Sequence, residues 1–252
     1  METKLPRAAF VELVGAFGLV FFSAGLVCLN QTTTPSGETG TSPLTLHQPG
    51  IFGVALGQGL ILAALLALTV PISGGYLNPA ITLMLWVFKR IETPRAAALM
   101  GAQFVGSVLA AVCLYFVFDA GLLRAAHFGA PHLNPLTYHT ISQPTLASGA
   151  AIELLLTFFL VSAIFGLTGG DTLKLGLVAG MIATVCGLFG FALTGAALNP
   201  ARWLGPTLLE AFNSIPPRSP WADTLVYFAG PILGALLGGV FVFKVLQPAG
   251  MK

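Results

Sequence analysis

The stretch "SGGYLNPAITL" at residues 73–83 returns, lightly altered, as "TGAALNPARWLGP" at 194–206. Two copies of one tripeptide in one chain call for a common cause. Asn is a favoured helix N-cap, Pro a favoured first helical residue, and Ala small and strongly helix-forming. Each Asn-Pro-Ala, at Asn78, Pro79, Ala80 and again at Asn199, Pro200, Ala201, therefore reads as a helix start. After Asn78 the apolar run "PAITLMLWVF" stops at Phe88, before Lys89 and Arg90. At 1.5 Å per residue it reaches about 15 Å, half of a hydrocarbon core about 30 Å thick. After Asn199, "PARWLGPTLLEAF" is similarly short. Neither helix can cross a bilayer alone.

The rest of the chain says that a bilayer is the setting. Of 252 residues, 56% are hydrophobic and 8% charged, against about 25% charged in a soluble domain. Apolar runs long enough to span lie at 8–29, 51–70, 96–118, 148–168, 173–192 and 222–246. In lipid, helices satisfy their own backbone, so six transmembrane helices are expected. The first runs on as "GAFGLVFFSAGLVCL" without a small-residue cleavage pattern and is expected to be retained. With the N-terminus inside, Lys4, Arg7, Lys89, Arg90, Arg95, Lys174, Lys244 and Lys252 fall on the cytoplasmic side, and only Arg124 and Arg218 face outward. The positive-inside rule thus places both termini in the cytoplasm. The net charge of +2 follows from that loop bias and implies no nucleic acid. Cys28, Cys113 and Cys186 show no metal or redox spacing.

The chain repeats beyond the tripeptide. "AFVELVGAFGLVFF" in the first span resembles "AAIELLLTFFLVSA" in the fourth, matching Glu12 to Glu153. Each half, about 8–118 and 148–246, has three spans, an odd number, so the second must enter from the opposite side as an inverted repeat. An outward loop at 119–147 joins them, and the polar run at 30–50 forms another. The two half-helices would meet near the midplane with their positive N-termini converging. Unwound backbone before each is tolerable only where it lines a wet cavity, so a water-filled path follows. Each Asn oxygen caps backbone N–H groups, leaving its amide NH₂ as the free donor. Such a site admits neutral molecules and opposes cations and protons.

Three charged residues lie inside the membrane. Arg202 sits where the helix end is already positive; it is read as a pore residue, or as a structural Arg neutralised by a buried acid or by carbonyls. Glu12 and Glu153 are read as acceptors for irregular backbone, with a proton relay as the other reading.

The paired motifs, Arg202, the two glutamates, "GAQFVGSVLAA" in the third span and "AGPILGALLGG" in the sixth together resemble the aquaporin family, the major intrinsic proteins, over essentially the whole chain. The resemblance implies an all-α channel of six transmembrane helices and two re-entrant half-helices, a homotetramer with one pore per subunit, no cofactor and no enzyme activity. It implies that Glu12 and Glu153 brace the re-entrant loops. By the family's spacings the outer constriction falls on Gln58, Gly187, Ala196 and Arg202. A one-residue slip would put Gly57 or Gly59 in place of Gln58. Water-selective members carry an aromatic at the first position and His at the second. Glycerol facilitators share Gly at the second but carry aromatics at the first and third. This set suggests a wide polar mouth passing water and small uncharged solutes: polyols like glycerol, urea or neutral metalloid hydroxides. Trp203, where glycerol facilitators have Asp, and Tyr227-Phe228 resemble the water channels instead. Tyr76 stands where His is usual and belongs to the inner vestibule.

A strictly water-selective channel is therefore the alternative, and an ion-coupled secondary transporter a distant one. The expected address is the plasma or inner membrane. His47, His127, His132 and His139 fall in outward loops, as solvated residues or, in a second reading, as a pH- or metal-sensitive cap. Cys186 could reach mercurials only if it faces the pore. "NQT" at 30–32 is a glycosylation sequon in a host that uses one.

Overall fold

A computed structural model describes residues 4–31, 49–133, 145–167, 171–213 and 219–247. Among them the regular structure is helical, with no strand. The first half contributes α1 (Leu5–Asn30), α2 (Gly50–Ser73), α3 (Pro79–Val87) and α4 (Thr93–Val117). After the short α5 (Ala120–Ala125) the second half contributes α6 (Leu146–Gly166), α7 (Thr172–Thr194), α8 (Pro200–Asn213) and α9 (Thr224–Val240). A 3₁₀ turn, Pro220–Asp223, and a π-helical end, Phe241–Leu246, extend α9 into an apolar stretch of 27 residues. All six expected spans are present, each within a few residues of its sequence limits.

These helices are apolar all round, as lipid requires. Phe10, Phe116, Phe159 and Phe189 point outward exposed, while Glu12, Gln103, Glu153 and Arg202 are buried. Small residues let the backbones approach. A Cβ on Gly106 would stand 2.3 Å from the carbonyl of Leu13, and one on Gly234 would stand 2.2 Å from that of Leu154. Each contact lies one residue beyond the matched glutamate, so α1–α4 and α6–α9 are built alike. The halves join where α2 meets α7: a Cβ on Gly59 would lie 2.3 Å from the carbonyl of Gly180.

The half-helices cross over. α3 packs on α4 of its own half and on α9 of the other, and α8 packs on α9 and on α4. The unwound loops before α3 and α8 therefore come together inside the six-helix ring. One expectation is corrected: residues 119–147 are not simply a loop. Asp119 caps α5, and a 3₁₀ turn, His127–Gly129, follows. Residues 134–144, with His139, and 32–48, with His47 and the Thr of the sequon, lie outside the described residues.

Candidate functional site

α2 and α7 are each capped, four residues before their Asn, by a glycine in the left-handed region: Gly74 (φ 104°) and Gly195 (φ 74°). The chain stays strained past them. Leu77 (φ 51°) and Leu198 (φ 54°) are left-handed without being glycine, as is Ala196 (φ 47°), at about 1–2 kcal/mol each. Something must hold them there.

The matched glutamates do. Glu12 accepts from the backbone N–H of Tyr76 (3.0 Å) and of Leu77 (2.7 Å), from the Ser73 hydroxyl (2.6 Å) and from the Gln103 amide (2.7 Å). Glu153 accepts from the N–H of Ala197 (3.0 Å) and of Leu198 (2.7 Å) and from the Thr194 hydroxyl (2.6 Å). Both are fully buried. Seven donors converge on the two carboxylates, as the acceptor reading expects. Ser73 and Thr194, each five residues before its Asn, were legible in the repeat but went unnoticed. Gln103 stood in the quoted third span as an isolated amide.

Each Asn caps its half-helix as expected: Asn78 Oδ1 accepts from Ala80 N–H, and Asn199 Oδ1 from Ala201 N–H, both at 2.9 Å. The amide nitrogens correct the sequence reading. Asn78 Nδ2 donates to the carbonyl of Leu198 (2.8 Å), and Asn199 Nδ2 to that of Leu77 (2.9 Å). Of the two hydrogens on each nitrogen, one ties the loops together and one is left. The left-handed leucines turn their carbonyls to the opposite loop, so strain and cross-link belong to one design.

Around this junction lies a narrow cavity of about 60 Å³, lined by Asn78, Asn199, Tyr76, Gln58, Ala196 and Arg202 among others. The structure thus brings three of the four filter positions to one space. Gln58 Nε2 is buried with no hydrogen-bond partner among the described residues. The register is fixed by its neighbours, since Gly57 packs on Leu26 and Gly59 on Thr184. Gly187 is not on this wall. A Cβ there would stand 2.9 Å from that of Ala55, so its missing side chain lets α7 approach α2. Cys186 is also turned away, its thiol toward the carbonyl of Leu156 (3.6 Å). Cys113 is exposed on α4 and Cys28 is buried.

Arg202 also lines a second, wider cavity of about 260 Å³, shared with Gly129, His127 and His132. It donates to the carbonyl of Gly129 (2.9 Å). Gly129 needs its left-handed φ (72°) and its bare Cα, for a Cβ would lie 2.5 Å from the carbonyl of Ala24. The histidines on either side are half-buried and paired with a carboxylate. His127 Nδ1 lies 2.7 Å from Glu210 Oε1, and His132 Nε2 lies 2.8 Å from Glu210 Oε2. Burial alone would depress the pKa of His132, but the Asp223 and Glu210 carboxylates outweigh it and push it up to about 9. Burial would raise the Glu210 carboxyl, yet the two imidazoles hold it below its ordinary range. Glu210, near the end of α8, was missed, because nothing in its local sequence ties it to histidines some 80 residues earlier.

Trp203 points away from both cavities. It stacks on Tyr227 (5.5 Å) and meets Phe228 edge-on (5.8 Å), while the Tyr227 hydroxyl donates to the carbonyl of Thr194 (2.6 Å).

A ring of six spanning helices enclosing two cross-linked half-helices, with a cavity where they meet, defines an integral membrane protein of the channel type. The family model "Major intrinsic protein" matches residues 1–242, and the chain belongs to that family. Its members are channels, not enzymes. The chain is 32% identical over 250 residues to Aquaporin-5 of Rattus norvegicus, covering 98% of this chain and 83% of that one. To Aquaporin TIP4-4 of Zea mays it is 32% identical over 239 residues, covering 93% and 84%. The fold is similar to the X-ray structure of the aquaglyceroporin from Plasmodium falciparum, with a TM-score of 0.78, 23% identity, and 96% and 97% of the two chains covered.

Proposed function

We propose that this chain is a passive pore for water and small uncharged solutes such as glycerol-like polyols, urea or neutral metalloid hydroxides, closed to ions and protons. The observation that carries it is the narrow cavity shared by Asn78, Asn199, Gln58, Ala196 and Arg202. Asn78-Pro79-Ala80 and Asn199-Pro200-Ala201 form its midplane, and two helix N-termini face a permeant there with positive potential. Arg202 adds a full charge beside them. A neutral molecule meets donors from the Asn amides and Gln58, whereas a cation meets like charge. Gln58, Gly187, Ala196 and Arg202 are the selectivity filter, Gly187 acting through helix approach, and Tyr76 belongs to the inner vestibule. Glu12 and Glu153 brace the two loops. The subunit works in a homotetramer, in a plasma or inner membrane, with both termini cytoplasmic and residues 126–133 outside.

The water-only alternative draws on the small size of the cavity, about 60 Å³. Stopped-flow light scattering on proteoliposomes separates the two readings. Shrinkage in an impermeant osmolyte, faster than in empty vesicles, is expected in both. Reswelling in glycerol supports the broader pore; its absence gives the water-only channel. No acceleration in either osmolyte would overturn both.

A further inference from the structure

We infer that His127, His132 and Glu210 form a site for one borderline divalent transition metal ion of the Zn²⁺ class at the mouth beside Arg202. The three offer ligand atoms that all lie within 4.8 Å of one another. Two imidazole nitrogens and a carboxylate are the donor set that such ions select, and a catalytic-type or regulatory site keeps a further position for water. The carboxylate now bridges both rings, at 2.7 and 2.8 Å. Tetrahedral coordination at about 2.0–2.1 Å would set ligands about 3.4 Å apart. The ion takes the place of the protons that the rings share with Glu210.

Three further features fit a metal better than a plain hydrogen-bond cluster. Glu210 is 1% exposed, while the side chains of His127 and His132 are 38% and 19% exposed. The charge is therefore buried, while both rings border the wider cavity. His132 turns Nε2 to Glu210 and has its other nitrogen 3.9 Å from Asp223, longer than a hydrogen bond, on the side where a carboxylate orients a metal-bound histidine. Between the two histidines lies Gly129, whose carbonyl receives Arg202. A bound ion would clamp the segment that positions the filter arginine.

The test uses the intact, tag-free protein titrated with Co²⁺, whose visible absorption reports low-coordinate binding. One Co²⁺ per chain is expected, displaced by Zn²⁺ and weakened at least tenfold in His127→Ala and His132→Asn. His127→Ala leaves the His132–Glu210 contact in place, so it serves even if Glu210→Gln does not fold. No saturable uptake by the parent, or uptake by both histidine variants equal to the parent's, would overturn the site. Water flux is read separately on the same preparation, so a failure of the pore reading leaves the metal result standing.

Discussion

Glu12 and Glu153 each receive the N–H groups of the two residues before their Asn, yet the two loops are finished differently. In the first half Gln103 bridges Glu12 and the Thr82 hydroxyl of α3. Counted from Gly106 and Gly234, the matching place in α9 is Pro231, which has no donor. There Tyr227 works instead, and it grips the carbonyl of Thr194. Counted from each Asn, Gly75 answers to the cavity-lining Ala196, and Ile81 to Arg202. The backbone is thus held by one device, a buried carboxylate, and this frees the cavity-facing positions to diverge. The duplicated loop is a shared scaffold with the charge placed on one copy only.

The largest effect expected is from the carboxylates. In Glu12→Gln or Glu153→Gln an amide N–H must face a backbone N–H, and a buried donor is orphaned, at roughly 3 kcal/mol. Gln103 can rotate its own amide to give the altered Glu12 site an oxygen. Glu153 has only the Thr194 hydroxyl to turn and no amide among its hydrogen-bond partners, so its variant is expected to unfold at the lower temperature in detergent. The reverse order would break the pairing of the two loops.

Arg202→Ile copies the first loop's Ile81 into the second. Water flux should persist while proton leak, followed by an internal pH dye, rises about tenfold or more as the charge disappears from a low-dielectric constriction. An unchanged leak would assign exclusion to the paired helix ends alone.

How much of this was legible follows from the range of each signal. The six spans were legible because lipid imposes length and apolarity locally. The half-helices were legible because Asn, Pro and a short run are a local cap. Glu12 and Glu153 stood out as charges in apolar runs. What the sequence hid were partners set by tertiary contact: the tie between each Asn amide and the opposite leucine carbonyl, Gly187 facing Ala55, and the Glu210 bridge. In each of these, the direction of a side chain decides the role, and no period or composition reports it.

The hydroxyl and amide that finish the loops should matter less than the carboxylates. Gln103→Leu removes donors from Glu12 and from Thr82, and about 2 kcal/mol is expected. Tyr227→Phe leaves the Thr194 carbonyl one donor short, at about 1 kcal/mol. Thermal unfolding in detergent ranks them, and a larger loss at Tyr227 would mean that the carbonyl clamp of the second loop outweighs the amide bridge of the first.

The smallest change sharpens the comparison most. Gly75 and Ala196 share the left-handed region, at φ 62° and 47°. A Cβ on Gly75 would lie 2.6 Å from Val70 Cγ2 and 3.0 Å from Val70 N, so Gly75→Ala is destabilising by both strain and contact. Ala196 bears the same strain without the clash, and its methyl lines the cavity. Ala196→Gly should relieve roughly 1 kcal/mol of backbone strain, offset in part by the greater freedom of glycine in the unfolded chain. Stability is expected to stay level or rise slightly while the glycerol rate increases. A gain in stability with no change in solute rate would leave Ala196 a backbone accident of the duplication, whereas a change in rate at constant stability would make its methyl a tuned part of the mouth.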